Sequence, residues 1–393
     1  MKTVAIISEF NPFHNGHRYL VDEARRHFGE DTCIIALMSG NYTQRGDVAV
    51  ADKFTRAAAA VAGGVDLVLE IPFPFSASSA EFFANAGVSM AASLGIVDAL
   101  AFGSESGDLE ALSEVAAGLL SPAFDEALQK ALSAFPECGH PALVQRTYAA
   151  LYGEAGAALL SDPNNILAIR YLVANRGLST PLEVFTVKRR GGYHDPSLGE
   201  YASASAIRHA LTVDRESASP SMPPASSKIL QEAVASGIAP AHLDRLGSIL
   251  LSFFRLAPCR EGDDIGHRLH AAALRAADFE EFLTLVATKR YTNAHLRRTM
   301  WHRYFGITSA DLRSSPAYTQ ILGANAKGRA ALRRASRLSS IALLTKPADA
   351  RALPEEAARQ AAVSQRADLL YPLAMPTPVA GDSGMKAAPY CEK

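Results

Sequence analysis

Cysteine is sparse in this chain: 393 residues contain four, Cys33, Cys138, Cys259 and Cys391, all far apart. With no C-x-x-C pair and no Cys/His cluster at zinc-ligand spacing, a disulfide scaffold and a structural zinc site are both unexpected. Long apolar runs are missing too. The first, at residues 4–7, is followed at once by Glu9, too short for the apolar part of a signal peptide or for a membrane span. The expectation is a cytoplasmic protein with no membrane partner. No internal repeat is visible. What is present is ordinary globular material, 48% hydrophobic and 20% charged, in a chain long enough for two domains.

Net charge is also nearly absent, at −1, but its distribution is not even. Residues 1–215 hold 16 Lys and Arg against 24 Asp and Glu; residues 216–393 hold 23 against 16. Within residues 285–340 there are 11 basic side chains and one acid, Asp311. That asymmetry suggests a polyanion partner for the second part, or else a solvated helical face; charge alone divides the two evenly.

Short apolar segments at residues 4–7, 33–38, 66–71, 99–102 and 182–188 alternate with helical patterns through the first half. Such alternation predicts an α/β fold, a Rossmann-like domain with a parallel sheet covered on both faces. Ligands of such sheets bind beyond the carboxyl ends of the strands, so the loops after strands carry the interest. The Ser- and Pro-rich residues 216–227 read as a linker. After it, residues 228–371 look helical with little strand signal, and residues 372–393 read as a flexible tail. The expected layout is therefore an α/β domain at 1–215 and a mainly α-helical, basic C-terminal domain.

Directly after the first strand comes Asn11-Pro12-Phe13-His14-Asn15-Gly16-His17. An H-x-G-H turn that opens a helix sets two imidazoles at its N-terminus, where the macrodipole favours anions such as nucleotide phosphates. Elsewhere a histidine pair is more often surface or core than catalytic; the strand before and helix after reverse that judgement. A second element, Ser203-Ala204-Ser205-Ala206-Ile207-Arg208, puts hydroxyls at a helix start with arginine one turn on. It suits a phosphate clamp or an ordinary helix cap. Between them lies Lys188-Arg189-Arg190, again after a strand.

These elements together resemble the H-x-G-H nucleotidyltransferase superfamily. Residues 8–17, 38–47, 66–72, 102–105, 163–167, 288–293 and 322–329, in that order, are similar to the bacterial tRNA(Met) cytidine acetate ligase family, and the likeness covers roughly residues 1–345. The resemblance implies an enzyme that activates acetate with ATP as acetyl-adenylate and passes the acetyl group to N4 of the wobble cytidine of elongator tRNA(Met), with Mg²⁺ as the expected counter-ion. It implies ATP along Ile7, Ser8, Glu9, Phe10, Asn11, Pro12, Phe13, His14, Asn15, Gly16, His17, Arg18, Tyr19 and Leu20. Gly103, Asn164 or Asn165, Lys188, Arg189, Ser203, Ser205 and Arg208 would complete that site. His14, His17, Lys188 and Arg189 would carry the catalysis, with no protein-held metal among the assignments. Gln44, Arg45, Asp47, Lys53 and Arg56 could hold base or acetate, or brace their loop; a substrate role is preferred. Lys289, Arg290, Asn293, Arg297 and Arg298 are the expected tRNA contacts, with Trp301 read as core in preference to a stacking surface.

Two other functions fit the same residues. One is a nucleotidyltransferase that adenylates a small metabolite, its basic domain serving oligomerisation. The other is a nucleotide-sensing RNA-binding protein without chemistry.

Overall fold

The protein is described here by a computed structural model that covers residues 1–191, 198–214, 216–257, 262–288 and 291–392. Its first strand, β1 (Thr3–Ser8), is buried along nearly its whole length, as a central parallel strand must be. The chain continues through α1 (Asn15–Phe28), β2 (Cys33–Ser39), α2 (Lys53–Ala62), β3 (Leu67–Ile71), α3 (Ala80–Ser93), β4 (Ala99–Ser104) and, after several helices, β5 (Glu183–Lys188). All five strands run parallel, in the order β5-β4-β1-β2-β3.

Residues alternate between the two faces along each strand. Ile6, Ile34, Ala36 and Val68 pack on α1 and α2, through Leu20, Val21, Ala24, Ala60 and Val61. Ile7, Ile35, Leu37 and Leu69 pack on the other side against α3 and the helix Pro163–Arg176. The direction of succession reverses at β1: β2 and β3 lie to one side, β4 and β5 to the other. The crevice between the carboxyl ends of β1 and β4, at Ser8 and Ser104, is thus the switch point of the sheet.

The sheet does not end with the first 215 residues. β6 (Tyr318–Ala324) pairs antiparallel with β3, Leu67 opposite Ala324. β7 (Ala342–Leu344) and β8 (Tyr390–Cys391) both pair with β6. The second part, read from sequence as helices with little strand, therefore also completes the sheet. The stretch expected as a linker is built in as well: Ser226 donates to the Ala59 carbonyl at 2.7 Å, and the helix Pro224–Ala235 packs on α2. The expected tail has fixed contacts: Thr377 N–H donates to the Gly237 carbonyl, and the Glu392 carbonyl accepts from Arg329.

The helical part has its own core, centred on Trp301, Phe254, Phe282 and Phe305, which also takes in Tyr42 and Phe73 from the loops after β2 and β3. The helix Glu355–Leu370, within the stretch expected to be helical, ties the parts together. Its Asp368 and Glu70 of β3 both accept from the ammonium of Lys53 at 2.7 Å, and Gln320 of β6 accepts from it at 2.9 Å.

The basic stretch 285–340 is split by this packing. Arg297 and Arg298, on the helix Asn293–Phe305, reach the loop after the carboxyl end of β2. Lys327, on the helix Ala326–Leu338, reaches the Thr32 carbonyl, just before the amino end of β2. The two groups are separated by the length of a strand, roughly 20 Å.

Candidate active site

At the switch point a cavity of about 390 Å³ opens between β1, β4, the helix Pro163–Arg176 and the helix Ala204–Val213. β1 enters it through Glu9 and Phe10, whose φ of 43° is strained for a residue other than glycine. Buried Phe10 meets Phe13 and His17 edge-on. Arg208 donates to the Asn11 carbonyl at 2.8 Å, and the Val50 N–H donates to the Asn11 side chain at 2.7 Å, so the turn is held from both sides.

His14 is the N-cap of α1. Its Nδ1 accepts from the Gly16 N–H at 3.0 Å, and its own N–H donates to His17 Nδ1 at 3.2 Å. This is a capping box in which imidazoles replace the usual hydroxyl and carboxylate. Each Nδ1 is an acceptor, so each neutral ring carries its proton on Nε2. The rings stack at 3.8 Å, and both line the cavity. Burial, then Arg189 and Arg208 nearby, depress His14 to about 3. Burial, then His14 and Arg189, hold His17 well below the ordinary histidine value. Both are neutral hydrogen-bond donors at physiological pH. Gly16 leaves room for the His14 ring: a Cβ would stand 2.8 Å from His14 Cε1. The first N–H groups of α1, expected to be free for phosphate, are in part satisfied by the imidazoles.

Across the cavity Ser203 caps the helix Ala204–Val213, accepting from the Ala206 N–H at 3.1 Å, with Ser205 Oγ 3.0 Å away. Ser203, Ser205 and Arg208 all line the cavity. A third helix end, that of Pro163–Arg176, is already taken by a carboxylate: Glu105 accepts from both the N–H and side-chain amide of Asn164 and from the N–H of Asn165. Asn164 lines the cavity. Asn165 is buried, and its side-chain oxygen accepts from the Ser106 N–H.

Of the expected ATP residues, Ile7, Ser8, Glu9, Phe10, Asn11, His14, His17, Leu20, Gly103, Asn164, Arg189, Ser203, Ser205 and Arg208 line this one cavity. The others do not. Pro12 and Gly16 shape the turn, Phe13 is buried against Gly63, and Asn15 donates to the carbonyls of Glu200 and Pro220. Arg18 donates to Asp22 and the Gly63 carbonyl, and Tyr19 lies under the Arg190 guanidinium at 4.2 Å. Consecutive strand-end residues point to opposite sides, which brings Arg189 to the cavity while Lys188 stays exposed outside it. Gly103 gives Arg189 its place: a Cβ there would stand 3.1 Å from Arg189 Cγ.

The segment after β2 divides. Gln44 and Arg45 line the cavity, and the Gln44 N–H donates to Glu9 at 2.8 Å. Lys53 and Arg56 are buried and bound to protein groups, which supports the bracing alternative: Arg56 donates to the carbonyls of Glu9, Ser39, Gly40 and Ala51. Asp47 pairs with Arg297 at 3.2 Å, Arg298 donates to the Gln44 carbonyl at 2.9 Å, and Trp301, fully buried, donates to the Gly46 carbonyl. Burial draws Arg298 down to about 10. Asn293 is exposed; Lys289 and Arg290 lie outside the described residues. The apolar wall, Phe83, Phe102 and Tyr171, was not picked out from sequence, where such side chains are indistinguishable from core.

Two imidazole donors at a strand-to-helix turn, facing a second capped helix across a switch-point crevice, define the class. Residues 1–384 match the family model described as HIGH Nucleotidyl Transferase. The "tRNA(Met) cytidine acetate ligase" of Syntrophomonas wolfei is 36% identical over 85% of this chain and 84% of its own length, and that of Caldanaerobacter subterraneus is 34% identical over 88% and 89%. The crystal structure of Thermotoga maritima TmcAL bound with alpha-thio ATP superimposes with a TM-score of 0.91 at 29% identity, covering 100% of this chain and 99% of that one. This chain belongs to the tRNA(Met) cytidine acetate ligase family, and is an enzyme of that family.

Proposed function

We propose that the chain activates acetate with ATP and transfers the acetyl group to N4 of the wobble cytidine of elongator tRNA(Met). The observation that carries this reading is the convergence of His14, His17, Arg189, Ser203 and Arg208 on a single cavity, in a chain whose relatives bear that name and include one solved with an ATP analogue. In the first step an acetate oxygen attacks the α-phosphorus, and the bond to the β- and γ-phosphates breaks, releasing pyrophosphate. Acetate and ATP repel one another, so the step needs charge neutralisation. Arg189 and Arg208 supply it, while the Nε2–H groups of His14 and His17 donate to phosphoryl oxygens as charge builds there. In the second step N4 attacks the acetyl carbon, the carbon–oxygen bond to AMP breaks, and N4 loses a proton. The apolar wall of Phe83 and Phe102 keeps water from the mixed anhydride between the steps.

Among the described residues no three His, Cys, Asp or Glu side chains cluster to hold a metal. Mg²⁺ fits the site as a companion of the nucleotide phosphates, which supply most of its oxygen ligands, with Glu9 the carboxylate that lines the cavity. It would add Lewis-acid neutralisation of the phosphates. Exposed Asn293 and the Arg297 helix beside the cavity are the proposed tRNA contacts, together with Lys289 and Arg290. Among the described residues no helix is long and apolar enough to cross a membrane, and a cytoplasmic location suits substrates such as ATP and tRNA.

The test is transfer of label from [¹⁴C]acetate to elongator tRNA(Met) with ATP and Mg²⁺, beside tRNA lacking that species. Label confined to tRNA(Met) supports the reading. Acetate-dependent exchange of pyrophosphate into ATP without transfer keeps the adenylation and removes the acceptor; neither signal overturns both steps.

A further inference from the structure

A second cavity, of about 580 Å³, lies beside the first. Its walls come from three segments far apart in sequence, Ser79 being the smallest. Phe135 and His140, between the helices Pro122–Ala134 and His140–Tyr152, supply one; Tyr291, His295 and Arg298, at the start of the helix Asn293–Phe305, supply another. The two cavities share a partition. Ser79 lines the second and Ala80 the first; Arg298 lines the second while donating to the carbonyl of Gln44, which lines the first.

Its chemistry differs from that of an apolar core gap. Tyr291 and His295 present parallel rings, 5.1 Å apart and inclined by only 12°. Phe135 keeps 46% of its surface exposed although it lines a cavity. Planar side chains beside a guanidinium and two imidazoles make a surface on which a base can stack while its edge finds hydrogen-bond donors. The volume falls in the range of small-molecule sites. The adjoining helix brings Arg297 and Arg298 to the loop that forms the partition, which suits a phosphodiester backbone passing over it, whereas Arg303 of the same helix pairs with Asp263. A cytidine reacting in the first cavity must be unstacked from its neighbours, and a flanking base then needs somewhere to go.

We propose that this second cavity is a subsite for a single unstacked base of the RNA, one of the two nucleotides that flank the target cytidine, stacked on the Tyr291–His295 pair. The inference rests on the tRNA-acetylating function proposed above and adds a recognition pocket to it. Tyr291 acts on the RNA and not on the adenylation chemistry.

The experiment uses the full chain and an RNA hairpin with the anticodon loop of elongator tRNA(Met), in which each base flanking the cytidine is replaced in turn by 2-aminopurine, whose fluorescence falls on stacking. One of the two probes should be quenched on binding to the wild-type protein. Tyr291→Ala should restore its fluorescence and raise the KM for tRNA at least about fivefold, the low end for loss of one base–aromatic stack, with acetate-dependent pyrophosphate exchange unchanged. Tyr291→Trp, which keeps a stacking face, should retain both quench and KM. If the wild-type protein quenches neither probe, or if Tyr291→Ala leaves quench and KM alone, the subsite is overturned whatever the fate of the acetylation reading. Loss of exchange in Tyr291→Ala would equally overturn it, by making Tyr291 part of the adenylation site or of the fold. Failure of the wild-type protein to acetylate tRNA, with the quench present and lost in Tyr291→Ala, would sink the acetylation reading and leave a base-binding site standing.

Discussion

His14 is a structural cap and, in the proposed mechanism, a donor to the phosphates, and the two roles can be separated. His14→Asn keeps a side chain that caps helices well and removes the imidazole Nε2–H. It should fold, and should lower acetate-dependent pyrophosphate exchange about a hundredfold or more, as loss of a donor to a developing oxyanion commonly does. An unchanged exchange rate would remove His14 from the mechanism. The depressed titration of His14 adds a pH effect with a definite sign. Its value is about 3 in the folded protein, against an ordinary value near 6.5 when unfolded. Between those values the unfolded chain binds the extra proton, so stability is full above pH 6.5 and falls as pH drops towards 3. The slope is up to about 1.4 kcal/mol per pH unit for one such group. Urea titrations at pH 7 and pH 5 should show a smaller loss for His14→Asn than for the wild type. These residues were legible in sequence because their signal is local: a strand, a turn, two histidines three apart. The reason for Gly16 was not legible, since only the folded ring shows which atom claims the space of the missing Cβ.

Single strands and helices explain both what the sequence revealed and what it concealed. β1 to β5 announce themselves as short apolar runs, each followed by a helical pattern. β6 is as long and as fully buried as β2, yet it lies between basic helices and finds its partner, β3, about 250 residues earlier, a pairing that no local pattern encodes. For the same reason no local pattern shows that the Lys53 ammonium joins α2 to β3, β6 and the helix Glu355–Leu370. Lys53→Met should expose that role. It leaves Glu70 and Asp368 buried without their cation, at a cost of about 3–5 kcal/mol. Chemical denaturation should show the loss. A variant of wild-type stability with raised KM for acetate would return Lys53 to the substrate.

The whole molecule sets where RNA can lie. Sequence placed the basic residues in one stretch; folding sends Arg297 to the cavity side of the sheet and Arg333, Arg334 and Arg337 to the helix Ala326–Leu338 at its other end. Arg297→Ala should weaken tRNA binding and lower the slope of log affinity against log salt by about one, as for one lost phosphate contact. Replacing Arg333, Arg334 and Arg337 together with alanine should leave both unchanged; a fall in slope would extend the RNA footprint around the sheet. The proposed nucleotide contacts, which all precede position 215, are likewise not self-sufficient. A fragment of residues 1–215 bares the apolar edge of β3, and should aggregate where the full chain stays monodisperse in light scattering. The same edge has a meaning in time. During synthesis β3 emerges from the ribosome long before β6 does, and at ordinary elongation rates the interval is on the order of tens of seconds. For that interval the nascent chain holds every proposed nucleotide contact in sequence while one margin of its sheet stays open, a period in which a chaperone would find its clearest target.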